Sequence, residues 1–176
     1  MAAATNKIKQ LREETGAGVM DCKRALEQTG GDWDKAKELL KQKGLEMAAK
    51  KSSRVASEGR IVSYVHHNHK VGALLEINCE TDFVAKNEDF GKLCRDIAMH
   101  VVATSPAYLK KEDVPKEDIP QNEDAKDFYK RTCLLEQPFV KDDKMTIGEY
   151  VASVIAKTGE NIVIKRFVRL AIGEGA

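Results

Sequence analysis

Residues 71–101, VGALLEINCETDFVAKNEDFGKLCRDIAMHV, contain the clearest structural pattern of the chain. Its first part alternates, with Leu75, Ile77 and Cys79 on one face of an extended chain and polar residues on the other. This alternation predicts a half-buried β-strand. Its second part repeats apolar residues at helical spacing, beginning with Phe90, which predicts an amphipathic helix. We expect the two elements to pack on each other through their apolar faces.

Thr81-Asp82-Phe83-Val84-Ala85-Lys86-Asn87 connects this strand to this helix, with Asn87 as the expected helix cap. Such a connection lies at the rim of the sheet, where an acidic residue beside a large aromatic one is unusual for a simple turn. In one interpretation Phe83 folds back under the helix and Asp82 caps its first turn. In the other, the segment is a projecting tip, with Phe83 as a hydrophobic wedge and Asp82 directed at a partner. The residues alone leave both interpretations open.

The flanking segments extend the same pattern. Residues 60–67 are β-branched and aromatic, residues 68–70 are typical of a hairpin turn, and residues 161–170 predict a closing strand. Thr146 and Glu149 have the spacing of a capping box at the start of a further helix. The sequence therefore predicts an α+β fold in which helices pack on a small, mainly antiparallel sheet.

The first part of the chain, residues 1–51, predicts three short helices. Gly16-Ala17-Gly18 and Gly30-Gly31 interrupt the helical pattern, because glycine permits the tight reversals between helices. Asp32 is a natural N-cap for the third helix, which we expect to end before Gly44.

A polar segment of small residues, 52–59, follows these helices and has no periodicity. The chain before it is net basic and the chain after it is net acidic. We therefore predict a helical domain over residues 1–51, a linker over 52–59 and an α+β core domain over 60–176.

Composition excludes several classes of protein. The chain has 176 residues, and its 29 Lys and Arg nearly balance its 28 Asp and Glu, whereas direct nucleic-acid binders usually carry a clear positive excess. No apolar run reaches the ~18 residues of a membrane span, and the N-terminus lacks the apolar segment of a secretory signal. The four cysteines form no Cys-x-x-Cys pair. We expect a cytoplasmic protein without disulfides, membrane anchor or nucleic-acid contact.

The candidates for chemistry are few. His66, His67 and His69 lie close together, and imidazoles are good zinc ligands. They fall at the predicted hairpin turn, however, and no third ligand group with a recognised spacing follows. The chain also contains no phosphate-binding loop, dinucleotide-binding motif or nucleophile elbow. We therefore predict no catalytic residue, metal or cofactor.

Four runs of sequence stand out along almost the whole chain. They are LREETGAGVMDCKRAL at residues 11–26, NCETDFVAKN at residues 78–87, LEQPFVKD at residues 135–142 and GENI at residues 159–162. Together, and in this order, they resemble the bacterial elongation factor Ts family.

The resemblance implies an N-terminal domain similar to the ubiquitin-associated fold, followed by an α+β core. It also implies guanine-nucleotide exchange on elongation factor Tu, whose GDP-bound and nucleotide-free forms the factor binds without doing covalent chemistry. The family's element that disturbs the partner's magnesium site falls on Thr81, Asp82, Phe83 and Val84. Its docking segment falls on Arg12, Val19, Met20 and Lys23.

One departure concerns length. Longer members of the family carry two related core subdomains and a projecting helical hairpin, for which the residues between Pro120 and Phe139 are too few. A second copy of the chain would then supply the missing surface, and the closing strand, residues 162–170, is apolar enough to pair edge to edge. Two other functions stay open: a helical adaptor, which would use only residues 1–51, and a metal-binding hydrolase, which would use only the histidines.

Overall fold

The computed structural model describes residues 2–174, so Met1 and the last two positions of the predicted core domain lie outside the described residues. None of the described helices is long and apolar enough to cross a lipid bilayer. The helices and strands, in chain order, are α1 (Ala2–Thr15), α2 (Val19–Gln28), α3 (Trp33–Lys51), β1 (Glu58–Val65), β2 (Val71–Cys79), α4 (Asp82–Lys86), α5 (Glu88–Thr104), α6 (Ala125–Thr132), β3 (Pro138–Phe139), β4 (Asp142–Thr146), α7 (Ile147–Thr158) and β5 (Ile162–Ala171). Short 3₁₀ turns lie at Lys111–Asp113, Lys116–Asp118 and Leu134–Glu136.

The central sheet has three antiparallel strands, with β2 between β1 and β5. Leu75, Ile77 and Cys79 of β2 are buried, as their alternation predicts, and they share one core cluster with the apolar face of α5. Asn87 caps α5 by accepting a hydrogen bond from the amide of Asp89, 2.8 Å away. The predicted α+β architecture, with helices on a small antiparallel sheet, is confirmed.

Helices α4, α5 and α7 contribute buried side chains to this core, and the other face of the sheet carries exposed apolar side chains. Leu74 and Val168 pair directly across β2 and β5 and are each about half exposed. Together with residues of β1 and the end of β5 they form what we call the outer face: Ile61, Val65, Leu74, Val168 and Leu170. An apolar sheet surface of this kind is a feature of interaction sites.

The first three helices enclose a second, smaller core. Its buried members come from all three helices, and they are Leu11, Cys22, Ala25, Leu26, Ala36 and Leu40. Gly30 and Gly31 both have positive φ, which ends α2 as predicted. Asp32 caps α3 by accepting a hydrogen bond from the amide of Lys35 at 3.1 Å.

The prediction that the third helix ends before Gly44 is wrong, because α3 continues to Lys51. Gly44 is buried, and a Cβ placed there would lie 3.7 Å from the carbonyl oxygen of Ala152 in α7. Glycine inside a helix costs about 1 kcal/mol relative to alanine, and the packing of α3 on α7 offsets that cost. An ion pair between Lys41 and Glu149, 2.9 Å long, joins the same two helices. Since α3 contacts both cores, the domain division at residues 52–59 stays a prediction.

The hairpin β3–β4 was not predicted from sequence, and buried polar groups hold it against α5. Asp96 is 5% exposed and accepts hydrogen bonds from Lys141 (2.6 Å) and the hydroxyl of Tyr150 (3.0 Å). Burial and the nearby carboxylate raise the pKa of Tyr150 well above its usual range, so this hydroxyl remains a donor. Tyr150 also stacks on Phe139, with ring centroids 4.9 Å apart.

His100 of α5 is a second polar residue that binds this hairpin through hydrogen bonds, and it is fully buried. The amide of Val140 donates to its Nδ1 at 3.3 Å, so its Nε2 carries the proton and donates to Gln137 Oε1 at 2.9 Å. Burial lowers the pKa of His100. The folded protein therefore holds a neutral imidazole at this position.

This arrangement predicts that acidification destabilises the fold through His100. The unfolded chain takes up this proton near pH 6.5 and the folded chain only at lower pH, so stability is lost as the pH falls below about 6.5. His100→Gln should lower the free energy of unfolding at pH 7.5 by about 1–3 kcal/mol and flatten its decline between pH 7 and 5. Urea unfolding across that range measures both effects. His67→Gln, at an exposed position, is the control, and an equally steep decline in His100→Gln would contradict the assignment.

Candidate functional site

The segment after β2 forms a short helix, α4, whose second residue points away from the protein. Phe83 is 82% exposed, an unusual fraction for so large an apolar side chain. Thr81, and not Asp82, caps this helix, because the Thr81 hydroxyl accepts a hydrogen bond from the amide of Val84 at 3.4 Å. The fold-back interpretation is therefore wrong in both of its parts. We call residues 81–86 the tip.

The underside of the tip is anchored in the core. Val84 and Ala85 are 9% and 7% exposed and belong to the cluster formed by β2 and α5. Of the four residues predicted to form the exchange element, Phe83 is exposed and Asp82 is partly exposed, whereas Thr81 caps the helix and Val84 is buried. The tip thus combines a fixed base with a free aromatic side chain.

Asp82 lies beside Phe83 and forms an ion pair with Lys86 at 2.7 Å, one turn later. The hydrogen bond from Lys86 lowers the pKa of Asp82, which keeps the carboxylate charged at neutral pH. About half of the Asp82 side chain and most of the Lys86 side chain face solvent. Exposed ion pairs within a helix contribute little to stability, so Asp82 can exchange Lys86 for a positively charged or hydrogen-bonding group of a partner.

Cys79 lies directly behind the tip and is an inert thiol. Its Sγ donates a hydrogen bond to the carbonyl of Thr81 at 3.2 Å, and burial raises its pKa to about 11. The four cysteines all fall within the described residues, and each of them is free and buried. They act as small apolar side chains.

The four residues predicted to dock a partner are all exposed on the first two helices. Val19 and Met20, in the first turn of α2, are 50% and 60% exposed. Lys23 follows one turn later and forms a loose ion pair with Glu27 at 3.8 Å, and Arg12 is exposed on α1. The structure thus brings Val19, Met20 and Lys23 together on one exposed side of α2, on a different element from the tip.

The histidines near the β1–β2 turn form a small polar cluster. The hydroxyl of Tyr64 lies 3.3 Å from His66 Nδ1, and the rings of His66 and His67 are 4.2 Å apart. Among residues 2–174, no group of three or more His, Cys, Asp or Glu side chains is placed to hold a metal ion. His69 has φ 56° and completes the turn, so the predicted hairpin accounts for this stretch.

One residue of the site was missed by sequence reasoning. Glu160, in the turn between α7 and β5, accepts hydrogen bonds from the backbone amides of Glu80 and Thr81 at the base of the tip. No periodicity or local motif links Glu160 to residues so distant along the chain. Its only signal is its place in the GENI run.

Comparison with known proteins covers almost the whole chain. The family model described as Elongation factor TS matches residues 3–126 and 124–174. Elongation factor Ts of Carboxydothermus hydrogenoformans is 47% identical, over 96% of this chain and 88% of its own length. The proteins of the same name from Fervidobacterium nodosum and Coprothermobacter proteolyticus are 47% and 46% identical, over 99% of this chain and 100% of their own lengths.

These matches place the chain among the factors of protein synthesis that act in translation elongation. It belongs to the elongation factor Ts family.

Proposed function

We propose that this protein is the guanine-nucleotide exchange factor of elongation factor Tu, and that its tip promotes the release of GDP. The observation that carries the proposal is the exposure of Phe83 on an anchored helix. A side chain that contributes nothing to its own core gains free energy only when a partner buries it. The partner's magnesium site is the target implied by the family, and the exchange itself needs no covalent step or cofactor of the factor.

The energetics set what the tip must supply. An exchange factor accelerates release only if it binds the nucleotide-free partner more tightly than the GDP-bound one. Shifting an equilibrium from 1:99 to 99:1 takes about 5.5 kcal/mol of differential affinity. Full burial of one phenylalanine contributes about 1.5–3 kcal/mol, so Phe83 supplies at most about half of this differential affinity. The Asp82 carboxylate, drawing a partner side chain or a water away from the magnesium ion, is the second contribution that we propose.

We propose that Arg12, Val19, Met20 and Lys23 hold the partner before and after exchange. Val19 and Met20 form an exposed apolar pair, with the positive charge of Lys23 one turn away. Contacts of this kind bind both nucleotide states alike, and uniform binding tightens the complex without accelerating the reaction. Docking and exchange are thus assigned to separate elements. The proposed location is the cytoplasm, where translation takes place.

The wedge model predicts that Phe83→Ala lowers the maximal rate of GDP release about 10- to 100-fold, because the apolar area buried only in the opened complex is lost. Stopped-flow release of fluorescent GDP from elongation factor Tu, at saturating factor, measures this rate. Since Phe83 is exposed, the variant should keep its thermal stability. An unchanged maximal rate would refute the wedge.

Met20→Ala is the matched comparison in the same assay. It should raise severalfold the concentration of factor that gives half-maximal release, while the maximal rate stays the same. If both variants changed the same parameter, the separation of docking from exchange would be wrong.

We also propose that two copies of the chain pair through the outer face of the sheet. The stretch between Pro120 and Phe139 is too short for a second core subdomain, and a second copy of the chain would bring an identical apolar face to cover this one. Pairing through the edge of β5, which the sequence also allows, would leave the outer face exposed.

Light scattering should therefore give a mass twice the 19.6 kDa of one chain. Val168→Glu, in the middle of the outer face, should give a monomer, because it would bury a charge in the interface. Val55→Glu, at an exposed position before β1, is the control and should leave the dimer intact. A wild-type monomer would exclude pairing, and a dimeric Val168→Glu would favour the strand edge.

A further inference from the structure

The turn between α7 and β5, Gly159-Glu160-Asn161, contacts the base of the tip through one carboxylate. Glu160 Oε2 accepts hydrogen bonds from the backbone amides of Glu80 at 3.1 Å and Thr81 at 3.0 Å. Its Oε1 accepts a third from the Thr81 hydroxyl at 2.6 Å. Three donors at the start of α4 therefore converge on a single side chain, and charged acceptors form the stronger class of hydrogen bond.

These bonds act where α4 is weakest. A helix of five residues cannot hold its own conformation, because nucleating a helical turn is unfavourable. Its N-cap hydroxyl on Thr81 is the same group that donates to Glu160. Glu160 thereby fixes the rotamer in which Thr81 can accept from Val84 and close the first turn.

The turn itself is held from the opposite side by the end of α3 and the segment after it. Lys51 donates to the carbonyl of Gly159 at 2.5 Å, and the side-chain amide of Asn161 donates to the carbonyl of Arg54 at 2.8 Å. The amide of Asn161 also donates to the Glu80 side chain at 2.7 Å. These hydrogen bonds therefore restrain the turn that carries Glu160.

Phe83 has no comparable restraint of its own, since 82% of it faces solvent. Its direction is set by the backbone of α4, whose two fixed points are the Val84 and Ala85 side chains in the core and the Thr81 end on Glu160. Removal of the second point would leave the base buried while the first turn, which carries Asp82 and Phe83, loses its orientation.

We propose that Glu160 is a positioning residue for exchange, which holds the first turn of α4 so that Phe83 and Asp82 meet the partner in one geometry. The inference rests on the proposed exchange function and extends it to a residue outside the tip. Misplacement of a group that acts in the transition state lowers the rate of the step more than the affinity of the complex.

The experiment compares three substitutions in the full-length chain by stopped-flow release of fluorescent GDP from elongation factor Tu. Glu160→Gln keeps the length and an acceptor oxygen, and its amide can donate to the Thr81 hydroxyl. Glu160→Asp keeps the charge but is one methylene too short to reach all three donors. Glu160→Ala removes the anchor. Glu117→Ala, which removes an exposed carboxylate from the Lys116–Asp118 turn, is the control.

We expect Glu160→Ala and Glu160→Asp to lower the maximal rate about tenfold, equal to about 1.4 kcal/mol in the barrier. The half-saturating concentration should change less than about twofold, and Glu160→Gln should restore most of the rate. A normal rate in Glu160→Ala would overturn the proposal. So would a normal Glu160→Asp with an impaired Glu160→Gln, because charge and not position would then be what matters.

Amide hydrogen exchange in the free chain tests the same role without the partner. Protection of the Thr81 and Val84 amides should fall in Glu160→Ala and Glu160→Asp and persist in Glu160→Gln, while the α5 core amides keep theirs. Unchanged protection at Thr81 would overturn the positioning role of Glu160, whatever the exchange assay shows. Failure of the wild-type chain to release GDP would instead refute the exchange function and leave this test of Glu160 valid. If Glu160→Ala does not fold, the Glu160→Asp and Glu160→Gln pair still decides.

Discussion

The packing of the apolar face of β2 on α5 is the constraint on which the rest of this structure depends. It fixes the end of β2 at Cys79 and the start of α5 at Glu88, and the chain between them must pass along the rim of the sheet. In that space α4 can direct only some of its side chains inward, and Val84 and Ala85 occupy that side. Phe83 is consequently left outside. The packing of the core therefore stabilises a segment that exposes an aromatic side chain to water, which is unfavourable by itself.

This arrangement matches what nucleotide exchange requires. A factor that only binds its partner does not change the partner's preference between nucleotide states. A rigid base with a free apolar end can distinguish those states, because the end gains contacts only where the partner opens. We propose that the predicted docking residues on α1 and α2 make the same contacts in both states, which is why we assign them to affinity. Packing of α3 on α7 connects the helices that carry the proposed docking residues to the core that carries the tip.

Local patterns predicted the elements that local physics controls. The alternation in β2, the apolar stripe of α5 and the caps at Asp32, Asn87 and Thr146 depend on nearby residues, and the structure contains all of them. The continuation of α3 through Gly44 could not be predicted, because a distant helix determines it. The buried His100 and the hairpin that it holds likewise depend on contacts made across the fold.

At the candidate site, too, nearby residues predict some features and distant contacts determine the others. The motif drew attention to residues 81–84, but whether Phe83 turns inward depends on how much space the core leaves, and sequence periodicity does not contain that information. Glu160 reaches the tip across 79 residues of chain, so its contact with the tip could be found only in the three-dimensional structure. Family resemblance indicated the candidate site, and the structure shows which of its side chains are exposed and which are buried.

We propose that the tip distinguishes the two nucleotide states of elongation factor Tu. Titration calorimetry of the factor against the nucleotide-free and the GDP-bound partner, with wild-type protein and with the variant lacking the Phe83 ring, measures that distinction most directly. We expect the wild-type protein to bind the nucleotide-free partner more tightly than the GDP-bound one, and the ratio of the two affinities to be smaller in the variant. Equal losses of affinity for both states would contradict it.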